Sequence, residues 1–132
     1  VIALDTHTLL WWASGDKAQL SAAASRAIES ELNGGQIMVS SMSAWEVAML
    51  VAKGRLALSM DIGAWLSVVS QIEEVRFVPV DNEIAVKSVE LPGEFHNDPA
   101  DRIIVATARK LAAPLVTADD KIRNYPHVRT IW

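Results

Sequence analysis

Four acidic residues, Asp5, Glu46, Asp101 and Asp119, stand where apolar runs give way to turns or helix starts. A carboxylate cluster with no cysteine and little histidine selects hard cations, Mg²⁺ or Mn²⁺, rather than zinc. Two carboxylates about 4 Å apart repel by roughly 4 kcal/mol at an effective dielectric near 20, so such a cluster needs a neutralising partner. A divalent ion neutralises it directly, activates a water nucleophile and steadies the charge on a phosphate. Phosphodiester hydrolysis is the natural reaction of such a set.

Each acid also has a purely structural explanation. Asp5 ends the apolar run Val1-Ile2-Ala3-Leu4 and, followed by Thr6, reads on its own as a helix N-cap. Glu46 closes Ser43-Ala44-Trp45-Glu46, which has the form of a capping box, glutamate reaching back to the cap amide. Yet the segment from Ala44 to Ala52 is otherwise apolar, and an acid buried there requires a partner. Asp98 followed by Pro99 matches N-cap then N1. Asp101 then falls in the first helical turn and shares an apolar face with Val105, Ala108 and Ala112, so Asp101 is the functional candidate and Asp98 the cap. Asp119 and its rival Asp120 follow Leu115-Val116-Thr117; one of them caps the turn that comes next, and Thr117 can share that work. Arg102 either reaches a phosphate or points to solvent, and the sequence leaves both open.

The elements that must position these acids alternate. Strand candidates are Val1 to Leu4, Gln36 to Val39, Arg76 to Val80, Leu115 to Val116 and Val128 to Ile131. Helical periodicity covers Thr8 to Ser14, Ser21 to Asn33, Ser43 to Lys53, Ile62 to Glu74, Asn82 to Glu90, Pro99 to Leu111 and a turn at Asp120 to Arg123. Gly34-Gly35, Gly54 and Pro92-Gly93 mark the loops. This pattern predicts an α/β domain with a central, mainly parallel, five-stranded sheet covered on both faces. In such sheets ligands bind beyond the carboxyl ends of the strands, where strand order reverses, and all four acids would lie on that rim.

Composition narrows the classes further. The 132 residues, 51% of them apolar, suffice for one core, so residues 1–132 read as a single domain. The absence of cysteine removes disulfides and thiol chemistry and favours a reducing, cytoplasmic setting. No stretch approaches the roughly 20 apolar residues of a membrane helix, and no basic leader precedes one. The net charge of -4 argues against gripping nucleic acid by bulk charge. From His96 to Trp132, however, six basic residues face four acids, so if the acids hold metal the remainder is expected to form a basic surface. Of Trp11 and Trp12, about 100° apart on a helix, one is expected to be exposed, as part of a groove for a partner or as ordinary packing. His7 and His96 read as surface residues, and Lys53 and Arg55 as a solvated helix end or a phosphate contact.

Four motifs carry a resemblance: Leu4-Asp5-Thr6-His7 with Leu10-Trp11-Trp12; Ser43-Ala44-Trp45-Glu46-Val47-Ala48; His96-Asn97-Asp98-Pro99-Ala100-Asp101-Arg102-Ile103-Ile104-Val105-Ala106-Thr107-Ala108; and Leu115-Val116-Thr117-Ala118-Asp119. In this order they resemble the PIN-domain family, specifically its VapC-type branch of bacterial toxin-antitoxin pairs. The resemblance implies an α/β/α sandwich, Mg²⁺ or Mn²⁺ bound by acids, and endonucleolytic cleavage of single-stranded RNA. It implies that Asp5, Glu46 and Asp101 are the first three site acids and Asp119 the fourth, with hydroxyls at Thr6 and Thr117 beside them. It further implies a homodimer and a small antitoxin whose tail lies across the acidic groove. Two other readings compete: a receiver-like, Mg²⁺-binding signalling module, and a catalytically silent binding partner. An Asp-x-Asp phosphatase is disfavoured because Thr6-His7 follow Asp5, and dinucleotide binding because no glycine-rich turn follows the first strand.

Overall fold

The computed structural model describes residues 1–132. Its elements run β1 (Ile2–Leu4), α1 (Thr6–Ala13), a 3₁₀ turn (Lys17–Gln19), α2 (Ala22–Glu31), β2 (Ile37–Ser40), α3 (Ser41–Ala52), α4 (Ile62–Ser70), β3 (Val75–Val78), α5 (Asn82–Val89), α6 (Pro99–Lys110), β4 (Leu115–Val116), α7 (Asp120–Arg123) and β5 (Thr130–Ile131). Every strand pairing is parallel, so the sheet is wholly rather than mainly parallel, in the order β3-β2-β1-β4-β5. The expected elements all form, with ends shifted by a few residues. The largest difference is α4, which stops at Ser70 instead of Glu74; α1 starts two residues early, at Thr6, because Asp5 caps it directly.

Alternation along the strands builds two cores. Ile2, Leu4, Ile37, Val39 and Val116 face one way and pack with Leu9, Ala24, Ile28, Trp65 and Val69. Ala3, Met38 and Leu115 face the other way and pack with Ile84, Ile104, Val105, Ala108 and Ile122. Helices α1, α2 and α4 therefore cover one face and α5, α6 and α7 the other, giving the three-layer α/β/α sandwich. Both faces of β1, β2 and β4 are buried, which is why they read as continuous apolar runs rather than as alternating ones.

Helices α5 and α6 run antiparallel and are fastened at both ends. At one end Lys110 Nζ pairs with Asp81 at 3.1 Å and Glu83 at 2.9 Å. At the other, the Arg102 guanidinium donates to the carbonyls of Ser88, Val89, Phe95 and His96. Arg102 thus takes neither of the two expected positions: it is spent on otherwise unpaired carbonyls at the end of α5 and in the connector to α6. That connector turns at Gly93, whose φ of +66° disfavours a side chain, and a Cβ there would lie 3.3 Å from His127 Nε2. Ala112 is not part of the α6 face expected for it. It follows the helix in the left-handed region, at φ 52°, and is exposed.

Candidate active site

The order β3-β2-β1-β4-β5 reverses direction between β1 and β4, and the cleft forms beyond the carboxyl ends of those two strands. Asp5 leaves β1 in extended backbone, and its Oδ1 accepts from Thr8 N at 3.0 Å. Its Oδ2 accepts from the Thr117 hydroxyl at 2.5 Å, across from the neighbouring strand. The residue is 7% exposed, so these two donors satisfy a carboxylate that is nearly out of water. Thr117 also accepts from Asp119 N at 3.1 Å, which ties the two strand ends together through one buried hydroxyl.

Asp119 caps α7, its Oδ1 accepting from Lys121 N at 2.8 Å and Ile122 N at 3.3 Å, while the residue still lines the cleft. Asp120 does not line it. Its side chain is 88% exposed and lies 3.8 Å from Arg123.

The capping box expected at Ser43 to Glu46 does not form. Helix α3 starts directly after β2, so Ser40 takes the cap, accepting from Met42 N at 3.1 Å, and Ser43 falls inside the first turn. There it is fully buried, and its Oγ lies 2.9 Å from Thr6 Oγ1. Glu46 is thereby free of any cap and accepts from the Thr6 hydroxyl at 2.5 Å. Burial pushes the Glu46 carboxyl above its ordinary value; Asp98 and Asp5 push the same way, against the opposing pull of the Thr6 hydrogen bond and His7.

Asp98 caps α6 as expected, accepting from Asp101 N at 2.9 Å. Asp101 stands behind Pro99 in the first turn, half-buried in the cleft. Burial first, and then Asp98, Asp119, Glu46 and Asp5 in turn, push its carboxyl up to about 7. His96, expected at the surface, instead sets its Nε2 3.1 Å from Asp101 Oδ2. The contact lacks the alignment of a hydrogen bond, so this buried nitrogen has no true partner. The ring is held there by Phe95, 4.4 Å away between centroids, and by Arg102 on the His96 carbonyl.

Together Asp5, Glu46, Asp98, Asp101 and Asp119 line one cleft of about 460 Å³ with Thr6, His7, Trp11 and Ala118. No lysine or arginine lines it. The four predicted acids are thus brought together, although no three acidic or histidine side chains converge closely enough to form a ready coordination shell. Asp5, Glu46, Asp98 and Asp119 each accept from a neutral donor instead, whereas the Asp101 carboxylate has only the His96 contact.

The basic residues after His96 lie outside the cleft. Arg102 is spent as above and Lys110 is paired with Asp81 and Glu83, whereas Arg109, Lys121, Arg123 and Arg129 are exposed on the surface, Arg109 donating to the His127 carbonyl, Arg129 to that of Ala112 at 3.0 Å and Arg123 lying 3.8 Å from Asp120. Lys53 and Arg55 do not reach the cleft either. Trp11 and Trp12 are both half-buried, instead of one being exposed: Trp12 packs on the core beside α1, whereas Trp11 lines the cleft. The exposed tryptophan is Trp45, at 57%, on the residue before Glu46.

This fold and this cleft define a class. The PIN domain family matches residues 2–128, and the chain belongs to it. Over 133 aligned residues it is 38% identical to Ribonuclease VapC22 of Mycobacterium tuberculosis, covering 99% of this chain and 98% of that one. Among solved structures it is similar to VapBC2 of Rickettsia felis bound to a promoter DNA fragment, with a TM-score of 0.70 at 16% identity, covering 98% and 96% of the two chains. It is also similar to M. tuberculosis VapC20, a sarcin-ricin loop cleaving toxin, with a TM-score of 0.62 at 20% identity and coverage of 98% and 99%. The VapC-type resemblance of the sequence motifs therefore holds along the whole chain. The strand order also differs from the 2-1-3-4-5 of receiver modules, which removes that reading.

Proposed function

We propose that this protein is a divalent-metal-dependent endoribonuclease that hydrolyses single-stranded RNA, and the toxin of a type II toxin-antitoxin pair. The observation that carries the reading is the cleft itself: five carboxylates and no lysine or arginine at the switch point of the sheet. An all-oxygen set whose members raise one another's pKa fits Mg²⁺ or Mn²⁺, with Asp5, Glu46, Asp101 and Asp119 as the holding groups. When bound, the metal supplies an activated water and charge stabilisation at the phosphate. Asp5 is the fixed member, held by Thr8 N and Thr117. Asp101, raised to about 7, is the group that would give up a proton to a bound metal, and Asp101 or Glu46 could orient the attacking water. Thr6 fixes the Glu46 carboxylate, and Ser43 fixes Thr6.

The partners follow from the relatives. Several of the similar solved structures are VapBC toxin-antitoxin complexes, which supports a small antitoxin partner for this chain. An apolar groove between α1 and α4, lined by Trp12, Leu58, Met60, Trp65 and Val68, offers such a partner a seat outside the acidic cleft. We assign the protein to the cytoplasm and read it as a homodimer, the latter testable by light scattering. No helix is long and apolar enough to cross a membrane.

The test is cleavage of a mixed RNA pool with Mg²⁺, with Mn²⁺ and with chelator, comparing the protein with its Asp5→Asn and Asp101→Asn variants. Metal-dependent cutting lost in both variants supports the reading. Equal activity or equal inertness of all three proteins would return the acids to their capping roles and favour a silent binding protein.

A further inference from the structure

The cleft that would process RNA offers a polyanion no lysine or arginine. Proteins that bind single strands combine a cationic groove with aromatic platforms. Here the cationic half is missing from the cleft: no lysine or arginine lines it, and Arg102, the basic residue next to Asp101, is spent on four backbone carbonyls. Trp11 supplies the other half. It projects from α1 into the wall of the acidic cleft, nearly two turns after Asp5.

Core packing does not account for Trp11. Its neighbour Trp12 packs against the core, and so does Trp132, whereas Trp11 belongs to neither core cluster. Its ring is instead held between His7 and Trp132, with centroids 5.8 and 5.9 Å away. These neighbours are tilted by 40° and 52°, so they fix the attitude of the indole without covering it as parallel stacks would. A large, half-buried aromatic ring, rigidly held beside the acids and unused by the core, has the form of a platform for a planar ligand.

We infer that Trp11, braced by His7 and Trp132, is a base-stacking subsite that holds an unpaired nucleobase of the RNA beside the scissile phosphate. This rests on the ribonuclease reading of the same cleft and adds how the substrate is gripped. Because every base presents a π-face, the subsite recognises an unstacked nucleotide rather than a particular letter. Base-paired RNA, whose bases are already stacked, is a poor ligand for it.

Binding is measured by fluorescence anisotropy of a short labelled single-stranded oligoribonucleotide with Mg²⁺, on Asp5→Asn protein so that the RNA survives, with and without Trp11→Leu or Trp11→Phe. Trp11→Leu is expected to weaken binding on the order of 5- to 150-fold, the usual range for loss of one base-aromatic stack, with Trp11→Phe recovering much of it. Replacing one nucleotide at a time by an abasic one should reveal a position that matters when Trp11 is present and not in the Trp11→Leu variant. Quenching of tryptophan fluorescence by the RNA should shrink in Trp11→Phe, a readout that survives even if Trp11→Leu folds badly. Unchanged affinity in Trp11→Leu, or an abasic penalty that persists in it, overturns the inference. So does a loss confined to binding of the antitoxin, which would make Trp11 a protein-docking residue. Cleavage by the protein with native Asp5 is scored separately: activity with no Trp11 effect sinks this subsite alone, and no activity under any metal sinks the ribonuclease reading.

Discussion

Asp101→Asn is expected to make the metal-free protein more stable, not less. The Asp101 carboxyl is raised from 3.8 to about 7, chiefly by burial and then by four neighbouring acids. A group whose folded pKa lies above its unfolded one binds more protons in the folded state, so stability is lost as pH rises through that interval. At about 1.4 kcal/mol per unit the full shift corresponds to roughly 4 kcal/mol at neutral and higher pH. The side chain is 23% exposed, so solvent screening reduces this to about 2 kcal/mol. Asparagine also forfeits a favourable charge in the first turn of α6, about 0.3–1 kcal/mol. The net expectation is a gain of about 1–2 kcal/mol at about pH 8, or roughly 4–8 °C in Tm for a chain of this size. The gain should fade as pH falls towards about 4 and vanish below 3.8, where the acid is protonated in both states. Urea unfolding in chelator at both pH values measures it, and Mn²⁺ should stabilise the native protein more than the variant. A variant equally stable or less stable at the higher pH, or a gain independent of pH, would refute the picture of an uncompensated carboxylate cleft.

The remaining expectations are simpler. Thr117→Val keeps the shape but removes the hydroxyl that bonds both Asp5 and Asp119 N; about 2–4 kcal/mol should be lost in urea unfolding, with weaker Mn²⁺ retention by titration. Arg102→Gln strips four carbonyls of their donor and frees the connector that holds His96. It should cost about 2–4 kcal/mol and speed amide exchange at residues 89–97, whereas an Arg102 serving only the RNA would leave both unchanged. Ala112→Gly relieves a left-handed alanine after α6 and should add about 1 kcal/mol of stability, measured by the urea midpoint; no gain would mean the backbone there is unstrained.

Much of the fold is legible in the chain. Short strands buried on both faces appear as apolar runs, and helices betray themselves by caps such as Asp98-Pro99. The motif order carries the family, and it places Asp5 and Asp101 where the cleft gathers them. The misreadings share a cause. Ser43 resembles a cap because the local pattern fits one, but β2 runs into α3 without a loop and moves the cap to Ser40. Arg102 looks available because its charge is visible in a sequence and the four carbonyls that hold it are not.

What the sequence determined by itself is therefore local and compositional: which residues are acids, which runs are buried, where helices start, and which family the motifs belong to. The tertiary structure alone decided which hydroxyl holds which carboxylate, that burial and mutual repulsion raise Glu46 and Asp101, that His96 stands against Asp101 and that Trp11 lines the cleft. The physical reason is distance along the chain. Thr6 meets Glu46 across 40 residues and Thr117 meets Asp5 across 112, and desolvation and Coulomb forces depend on that spatial gathering, which no local pattern records.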